Sequence, residues 1–363
     1  MYTWESRLNA RDNNRVVRPL DWGLEWTQSW PCRNGCSHAD PEQLICELNR
    51  RILARSDEFF SYRTPDDFRL ADDASSSVGQ RQATNDKPLS TLDHRLSTDP
   101  PRPFLRFTSP VATPCPENNT VHARWFPAKG NRAVVVLPQW NADAESHNAL
   151  CRIFNFFGIA ALRLSLPYHD LRKPPETERA DYAVSANISR TIDAARQAVI
   201  DARCCLDWLA SQGYRRFGIV GTSLGSCYAF ITAAHEPRLS LCAFNHASTY
   251  FADVVWTGQS TRHIRIGLDG QIDLERLRQA WLAISPMSYF DQFARYPRRS
   301  LVVYAAYDLT FLPEFSRQFI AECRRRGLAH EVSVLPCGHY SCGEFPFKYL
   351  DAYYLAKFLK RAF

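Results

Sequence analysis

The sequence predicts an α/β protein with a mostly parallel central sheet and helices on both faces. Two observations support this prediction. Strand-like and helix-like segments alternate over the last two thirds of the 363 residues, which is the pattern of such folds. Several strand-like runs, such as residues 133–137 (AVVVL), are wholly apolar, as strands are when both faces of a parallel sheet are buried. A composition of 45% hydrophobic and 23% charged residues is that of a globular protein.

The strands are predicted from short apolar or alternating runs. Residues 121–126 alternate apolar and polar side chains and form a predicted meander with residues 104–108. The later runs are nearly continuous in apolar residues. Predicted strands in chain order are 104–108, 121–126, 133–137, 159–166, 217–221, 239–244, 300–306 and 331–336.

The helices are predicted from apolar residues that recur with a period of 3.6 and from Gly or Pro at the ends. Gly158, Gly213 and Gly327 follow three of the patterns, and Pro313 begins one. Predicted helices in chain order are 144–157, 182–212, 224–235, 313–326 and 347–362.

The N-terminal segment is aromatic and amphipathic. Trp22, Trp26 and Trp30 are four residues apart, which places them on one face if the segment is helical. Asp40-Pro41 reads as a helix start, with Gln43 completing a capping box. This segment is too short for a core of its own, so we expect it to dock on the main domain.

One motif carries chemistry. Residues 217–225 read FGIVGTSLG, an apolar strand that runs into G-x-S-x-G and then into a predicted helix. A serine on such a tight turn exposes its hydroxyl, and glycines two positions before and after it permit close approach of strand and helix. The helix N-terminus then presents N–H groups to a developing oxyanion. The alternative is that Gly221 and Gly225 merely permit close packing.

A reactive serine needs a base and a residue that orients the base. Residues 301–308 (LVVYAAYD) form a strand that ends in Asp308, and residues 332–339 (VSVLPCGH) form a strand that ends in His339. Both residues fall at carboxyl ends of parallel strands, the edge where open α/β sheets place their sites. The alternative roles are a turn cap for Asp308 and a buried structural imidazole for His339.

The order Ser223, Asp308, His339 and its strand context resemble the α/β-hydrolase superfamily, and the motif with a serine is closer to its esterases and peptidases than to its dienelactone hydrolases. The resemblance implies that Ser223 is the nucleophile, His339 the general base and Asp308 the orienting acid. It covers a catalytic domain at residues 104–363, with a cap insert at about 245–299 that shapes the pocket. Residues 1–70 form the N-terminal extension, and residues 71–103 form a polar linker.

The resemblance also implies an oxyanion hole. Its first donor is the backbone N–H of Leu224, and its second comes from the loop after the strand at 133–137, either from Gln139 or, with slight preference, from Trp140. That loop lacks the His-Gly-Gly-Gly pattern of many esterases. Tyr168 and His169, after the next strand, are candidates for lining the substrate pocket, with turn chemistry as the equal alternative.

Other function classes have weak support. A net charge of +6 without a basic stripe argues against nucleic-acid binding, and no apolar run is long enough to cross a membrane. No dinucleotide or nucleotide-triphosphate loop is present, so no cofactor is predicted. The spacing of Cys32, Cys36, His38 and Cys46 is not a common zinc pattern, so no metal is predicted either.

The sequence therefore predicts a serine hydrolase that acts on a small-molecule ester or acyl substrate. No secretory signal is visible, so we expect a cytoplasmic protein with reduced cysteines. The alternatives within enzymes are an amidase or peptidase and an acyltransferase on the same triad. The alternative from another class is a non-catalytic binding protein of the same fold. The sequence does not indicate an oligomeric state.

Overall fold

The structure, a computed structural model, describes residues 1–36, 38–71 and 103–363. In these residues nine strands form one sheet. They are β1 (Arg69–Ala71), β2 (Phe104–Thr108), β3 (Thr120–Phe126), β4 (Arg132–Leu137), β5 (Ala160–Leu164), β6 (Arg216–Thr222), β7 (Leu239–Asn245), β8 (Arg299–Ala305) and β9 (His330–Leu335).

The strand order is β1-β2-β3-β5-β4-β6-β7-β8-β9. The first three pairings, from β1 to β5, are antiparallel, and all pairings from β5 through β4 to β9 are parallel. The prediction of a mostly parallel sheet is confirmed. Parallel pairing sends the carboxyl ends of β4, β6, β7, β8 and β9 to one edge, where the candidate site lies.

Twelve α-helices occur in the described residues. They are α1 (Tyr2–Asn9), α2 (Pro41–Ala54), α3 (Ser56–Phe59), α4 (Asn148–Phe156), α5 (Ile188–Ser211), α6 (Leu224–His235), α7 (Phe251–Thr257), α8 (Arg262–Leu268), α9 (Leu274–Ala280), α10 (Phe290–Phe293), α11 (Pro313–Arg325) and α12 (Phe347–Ala362). None of them is long and apolar enough to cross a membrane.

The apolar strands separate two hydrophobic cores. In β4, Ala133, Val135 and Leu137 face one core, while Val134 and Val136 face the other. This follows from the alternation of side chains along a strand. The larger core holds apolar residues of α2, α5 and α6, and the smaller core holds those of α4 and α12. Helices therefore cover both faces of the sheet, as predicted.

The N-terminal segment packs against the α/β unit through buried polar contacts. The Trp30 indole Nε1 donates to Asp193 of α5 at 2.9 Å. The Asn49 side chain of α2 donates to the carbonyl of Ala280 and accepts from the N–H of Ala283, at 2.9 and 2.7 Å. The last described residues of this segment, β1, pair with β2 at the edge of the sheet.

Two helices begin later than predicted. Helix α5 begins at Ile188 rather than at 182, because the Asn187 side chain caps it by accepting from the N–H of Arg190. Helix α4 begins at Asn148 rather than at 144, because His147 has a φ of +69° and Asp143 holds the preceding turn. The later starts leave residues 180–187 and 144–147 as irregular chain near the site.

The segment that carries Trp22, Trp26 and Trp30 is not one continuous helix, so the condition for a shared tryptophan face is not met. Only a short 3₁₀ helix, Leu24–Ser29, forms between Trp22 and Trp30. Gly23 at φ +59° turns the chain here, and a Cβ on it would lie 2.1 Å from the Asn187 side chain. Trp30 alone of the three is buried. Most of the predicted polar linker, 72–102, lies outside the described residues. The twelve cysteines are free thiols.

Candidate active site

Ser223 lies on the tight turn between β6 and α6. Its backbone has φ +56° and ψ −118°, a conformation that is costly for a residue with a side chain. A Cβ on Gly221 would lie 2.2 Å from the carbonyl oxygen of Gly225, and one on Gly225 would lie 2.2 Å from that of Leu137. Both glycines are therefore required by the close approach of strand and helix, as the motif predicts.

The three predicted residues meet at this turn. Ser223 Oγ lies 3.1 Å from Nε2 of His339, and Nδ1 of the same imidazole lies 2.9 Å from Oδ2 of Asp308. Ser223 follows β6, Asp308 follows β8 and His339 follows β9. The parallel sheet thus places hydroxyl, imidazole and carboxylate in one hydrogen-bonded line.

The Asp308 carboxylate is buried and makes four polar contacts. Oδ1 accepts from the N–H groups of Thr310 and Phe311, both at 2.8 Å. Oδ2 lies 2.9 Å from Nδ1 of His339 and also 2.9 Å from Nδ1 of His246. Burial alone raises the pKa of Asp308, but the two imidazoles hold that pKa well below its usual range. The carboxylate is therefore ionised at neutral pH.

Two aromatic rings pack against the His339 ring. The Phe311 ring stacks on it at 5.5 Å with an interplanar angle of 4°, and the His246 ring lies 4.6 Å away. Burial lowers the pKa of His339, but Asp308 and the more distant Glu5 outweigh burial, so that pKa lies above its ordinary value. When the imidazole is neutral, its Nε2 faces Ser223 and is a stronger base than that of an ordinary histidine. These properties suit a general base.

The same groups form the one cluster in the described residues with the composition of a metal site, His246, Asp308 and His339. A carboxylate offers about four lone-pair sites, and Asp308 already accepts from the N–H groups of Thr310 and Phe311 and lies within hydrogen-bond distance of Nδ1 of His339. The arrangement therefore fits a hydrogen-bonded relay better than a metal. His38, part of the cysteine pattern weighed for zinc, is exposed, and it does not belong to this cluster of the described residues.

An apolar pocket opens beside Ser223. Its cavity volume is about 50 Å³. The α6 side contributes Leu224 and Cys227. The segment at about 245–299, predicted as a cap, contributes Phe251, Val254 and others. The lining residues are Trp140, Val184, Ser223, Leu224, Cys227, Ser248, Phe251, Val254, Val255, Ser260, Thr261, Pro286, Thr310 and Phe311, none of them charged.

The loop after β4 lies over the start of α6. An added Cβ on Gly225 would lie 2.5 Å from the Pro138 carbonyl oxygen, which shows how close that loop comes. Trp140 lines the pocket, and its indole Nε1 donates to the carbonyl of Ala180 at 2.9 Å. Gln139 precedes it on the same loop. The loop is thus placed beside Leu224, the first residue of α6.

Tyr168 and His169 are not among the residues that line this pocket. Tyr168 is buried, with its ring at 5.7 Å from Tyr182. His169 is buried as well: Nε2 accepts from the N–H of Asn141 at 3.0 Å, and Nδ1 faces the carbonyl of Pro167 at 2.8 Å. His169 thus anchors the loop that carries Trp140 through its hydrogen bond with Asn141. The backbone of Tyr168 has a positive φ of 65° at this turn.

Sequence reasoning missed two residues of the site. His246 directly follows β7, so the rule that located Asp308 and His339, the carboxyl end of a parallel strand, could have found it. Glu5 had no such signal. It lies in α1, is 1% exposed, and accepts from the N–H of Tyr340 and of Ser341 in the loop that carries His339.

Comparison with known proteins gives the fold. No family model and no curated protein matches the sequence. Among solved structures, an acetyl xylan esterase 1 from Thermoanaerobacterium sp. is similar over 93% of this chain and 99% of its own (TM-score 0.56, 14% identity). An acetyl xylan esterase from Paenibacillus sp. R4 is similar over 97% and 98% (TM-score 0.55, 13% identity).

An acylaminoacyl peptidase from Pyrococcus horikoshii is similar over 73% of this chain (TM-score 0.53, 10% identity). The match spans only 46% of that peptidase. Identities this low speak for the fold alone, and the sheet and helix-covered cores described above agree with it. The chain has the α/β-hydrolase fold.

Proposed function

We propose that this protein is a serine hydrolase that cleaves carboxylic esters of small acyl groups. The observation that carries the proposal is the line from Ser223 Oγ through His339 to Asp308, at 3.1 and 2.9 Å, beside an apolar pocket. A nucleophile within reach of a base, with the base held by a third group, is the arrangement of nucleophilic acyl transfer.

The proposed steps follow from the geometry. Ser223 Oγ attacks the acyl carbonyl carbon while Nε2 of His339 takes the hydroxyl proton, and Asp308 stabilises the resulting imidazolium. The same imidazolium protonates the leaving alcohol as the carbon–oxygen bond breaks. Water, activated by His339, then attacks the acyl-enzyme, releases the carboxylic acid and restores the Ser223 hydroxyl.

The oxyanion formed in each step needs two donors. The N–H of Leu224 is the first, because the N-terminal N–H groups of a helix have no partner within the helix. The second is the backbone N–H of Trp140 or Gln139. In support, the loop after β4 is braced by His169 beneath it and by Ala180 at the indole, which fixes its position over the turn.

The pocket supports small and uncharged acyl groups. No charged side chain lines it, and apolar side chains such as those of Leu224, Phe251 and Val254 bound the space beside Ser223. A short, uncharged acyl group matches this lining. By their titles two of the similar structures are acetyl xylan esterases, which makes acetyl esters a reasonable first substrate to try.

The test is turnover of p-nitrophenyl acetate, butyrate and octanoate beside p-nitroanilides of the same acids. We expect ester turnover with kcat/KM falling beyond butyrate. Anilide turnover equal to ester turnover would favour an amidase or peptidase. Acyl transfer to an added alcohol in preference to water would favour an acyltransferase. A folded protein without any turnover or serine labelling would favour a binding protein.

A further inference from the structure

The loop that carries His339 is anchored from the far end of the chain. In α1, Glu5 places its carboxylate against that loop, 335 residues away in sequence. Oε1 accepts from the Tyr340 N–H at 2.6 Å, and Oε2 accepts from the Ser341 N–H at 3.0 Å and the Ser341 hydroxyl at 2.9 Å. One carboxylate thus binds the two residues that follow His339.

This contact is enclosed. Glu5 is 1% exposed, although glutamate is rarely buried without partners. Gly338, which precedes His339, leaves the space that the carboxylate fills: a Cβ on Gly338 would lie 2.3 Å from Oε2. The Ser341 hydroxyl also accepts from the Gly338 N–H at 2.7 Å. Residues on both sides of His339 are therefore tied to one carboxylate.

We infer that Glu5 is a positioning residue for His339: it holds the loop so that the imidazole faces Ser223. The inference rests on the proposed function. It makes α1 a part of the active site and not merely a segment that packs on the core. Hydrogen bonds to an ionised carboxylate are the stronger kind, which suits a group that must fix a loop.

Other charged groups face the same loop and must be kept unchanged in a test. Asp308 and His246 face the His339 ring from the ends of β8 and β7. In the chain after α1, Arg15 donates to the Tyr340 hydroxyl at 3.0 Å. That hydroxyl donates to the Asp12 carboxylate at 3.2 Å. Arg179 lies 3.8 Å from Asp12.

The decisive variant is Glu5→Gln in the full chain. An amide has one acceptor oxygen, so either orientation sets its NH₂ group against a backbone N–H of Tyr340 or Ser341. We expect the plateau of kcat/KM for p-nitrophenyl acetate to fall about tenfold, because a displaced base reacts poorly. Removing the charge lowers the pKa of His339, so the acid limb of the pH profile moves to lower pH.

A merely structural role for Glu5 would lower the amount of folded protein without moving that limb. The matched control is Glu25→Gln, which removes an exposed carboxylate from the same N-terminal segment and is expected to keep the wild-type profile. Thermal unfolding of each variant shows that the assay is made on folded protein.

A second variant covers the case in which Glu5→Gln does not fold. Glu5→Asp keeps the charge but shortens the reach by one methylene. We expect a lower plateau with an acid limb close to that of wild type. If both variants fold and keep the wild-type kcat/KM and the wild-type acid limb of the pH profile, the inference is overturned. If only Glu5→Asp folds, a wild-type kcat/KM in that variant overturns it. Either result leaves the proposed function intact. Absent turnover in wild type would instead remove the proposed function.

Discussion

Replacing Asp308 by asparagine exchanges one oxygen of the site for an NH₂ group and has a result that the geometry dictates. The N–H groups of Thr310 and Phe311 both point at Oδ1. The introduced amide must therefore keep its oxygen there and turn its NH₂ group towards Nδ1 of His339 and Nδ1 of His246. Nδ1 of His339 then has to accept a hydrogen bond, which moves the ring proton to Nε2.

That tautomer cannot take the Ser223 proton, because the nitrogen 3.1 Å from Oγ already carries one. Loss of the correct tautomer in a serine triad lowers kcat by about 10⁴. At about 1.36 kcal/mol for each factor of ten, this is about 5 kcal/mol of transition-state stabilisation. The fold should persist, since every contact of the side chain keeps a polar partner.

The assay is the steady-state kcat for p-nitrophenyl acetate in Asp308→Asn and wild type, with circular dichroism to confirm folding. The matched control is Asp351→Asn. Burial raises the pKa of Asp351 to about 7, and its carboxylate accepts from the Asn245 side chain, at 3.0 and 2.9 Å, rather than from His339. A folded Asp308→Asn variant that keeps more than about a tenth of the wild-type kcat would refute the reasoning.

Three further predictions concern the turn, the base and the pocket. Gly225→Ala puts a methyl group 2.2 Å from the Leu137 carbonyl oxygen, so chemical denaturation should show that the free energy of unfolding falls by about 2 kcal/mol or more. The control Gly343→Ala, whose methyl group meets nothing within 4 Å, should leave the free energy of unfolding nearly unchanged. Equal stabilities of the two variants would contradict the packing argument. Only the neutral imidazole of His339 accepts a proton, and its pKa is raised, so kcat/KM of the wild type should rise with pH with a midpoint above 6.5. A midpoint below 6.5 would show that the effect of burial on this pKa outweighs that of Asp308. Val254→Ala enlarges the pocket, so the ratio of kcat/KM for hexanoate to that for acetate should rise by roughly tenfold, and an unchanged ratio would place the acyl group elsewhere.

The sequence was informative where chemistry depends on local pattern. The turn around Ser223 could be predicted because glycines at fixed positions report close backbone approach. Asp308 and His339 could be predicted because each follows a buried strand, and parallel pairing brings such ends to one edge. The hydrogen bonds that join the three side chains are the contacts that this reasoning anticipated.

The sequence was uninformative where contacts depend on distant chain. Tyr168 and His169 are both buried, and Tyr168 has a positive φ, and residue type alone did not indicate either feature. Glu5 reaches the His339 loop across nearly the whole chain, so no periodicity or spacing records the contact. The start of α5 was misplaced because apolar residues before Asn187 continue the helical pattern that its cap interrupts.

The central claim is that Ser223 is an activated nucleophile. The most direct measurement is labelling of the folded protein with a fluorophosphonate, followed by mass spectrometry of the peptide that carries the label. The account predicts one label per chain on Ser223, at a rate that falls at least about 10³-fold in His339→Ala. Absence of a label from folded wild-type protein, or a label on another residue that persists in Ser223→Ala, would contradict it.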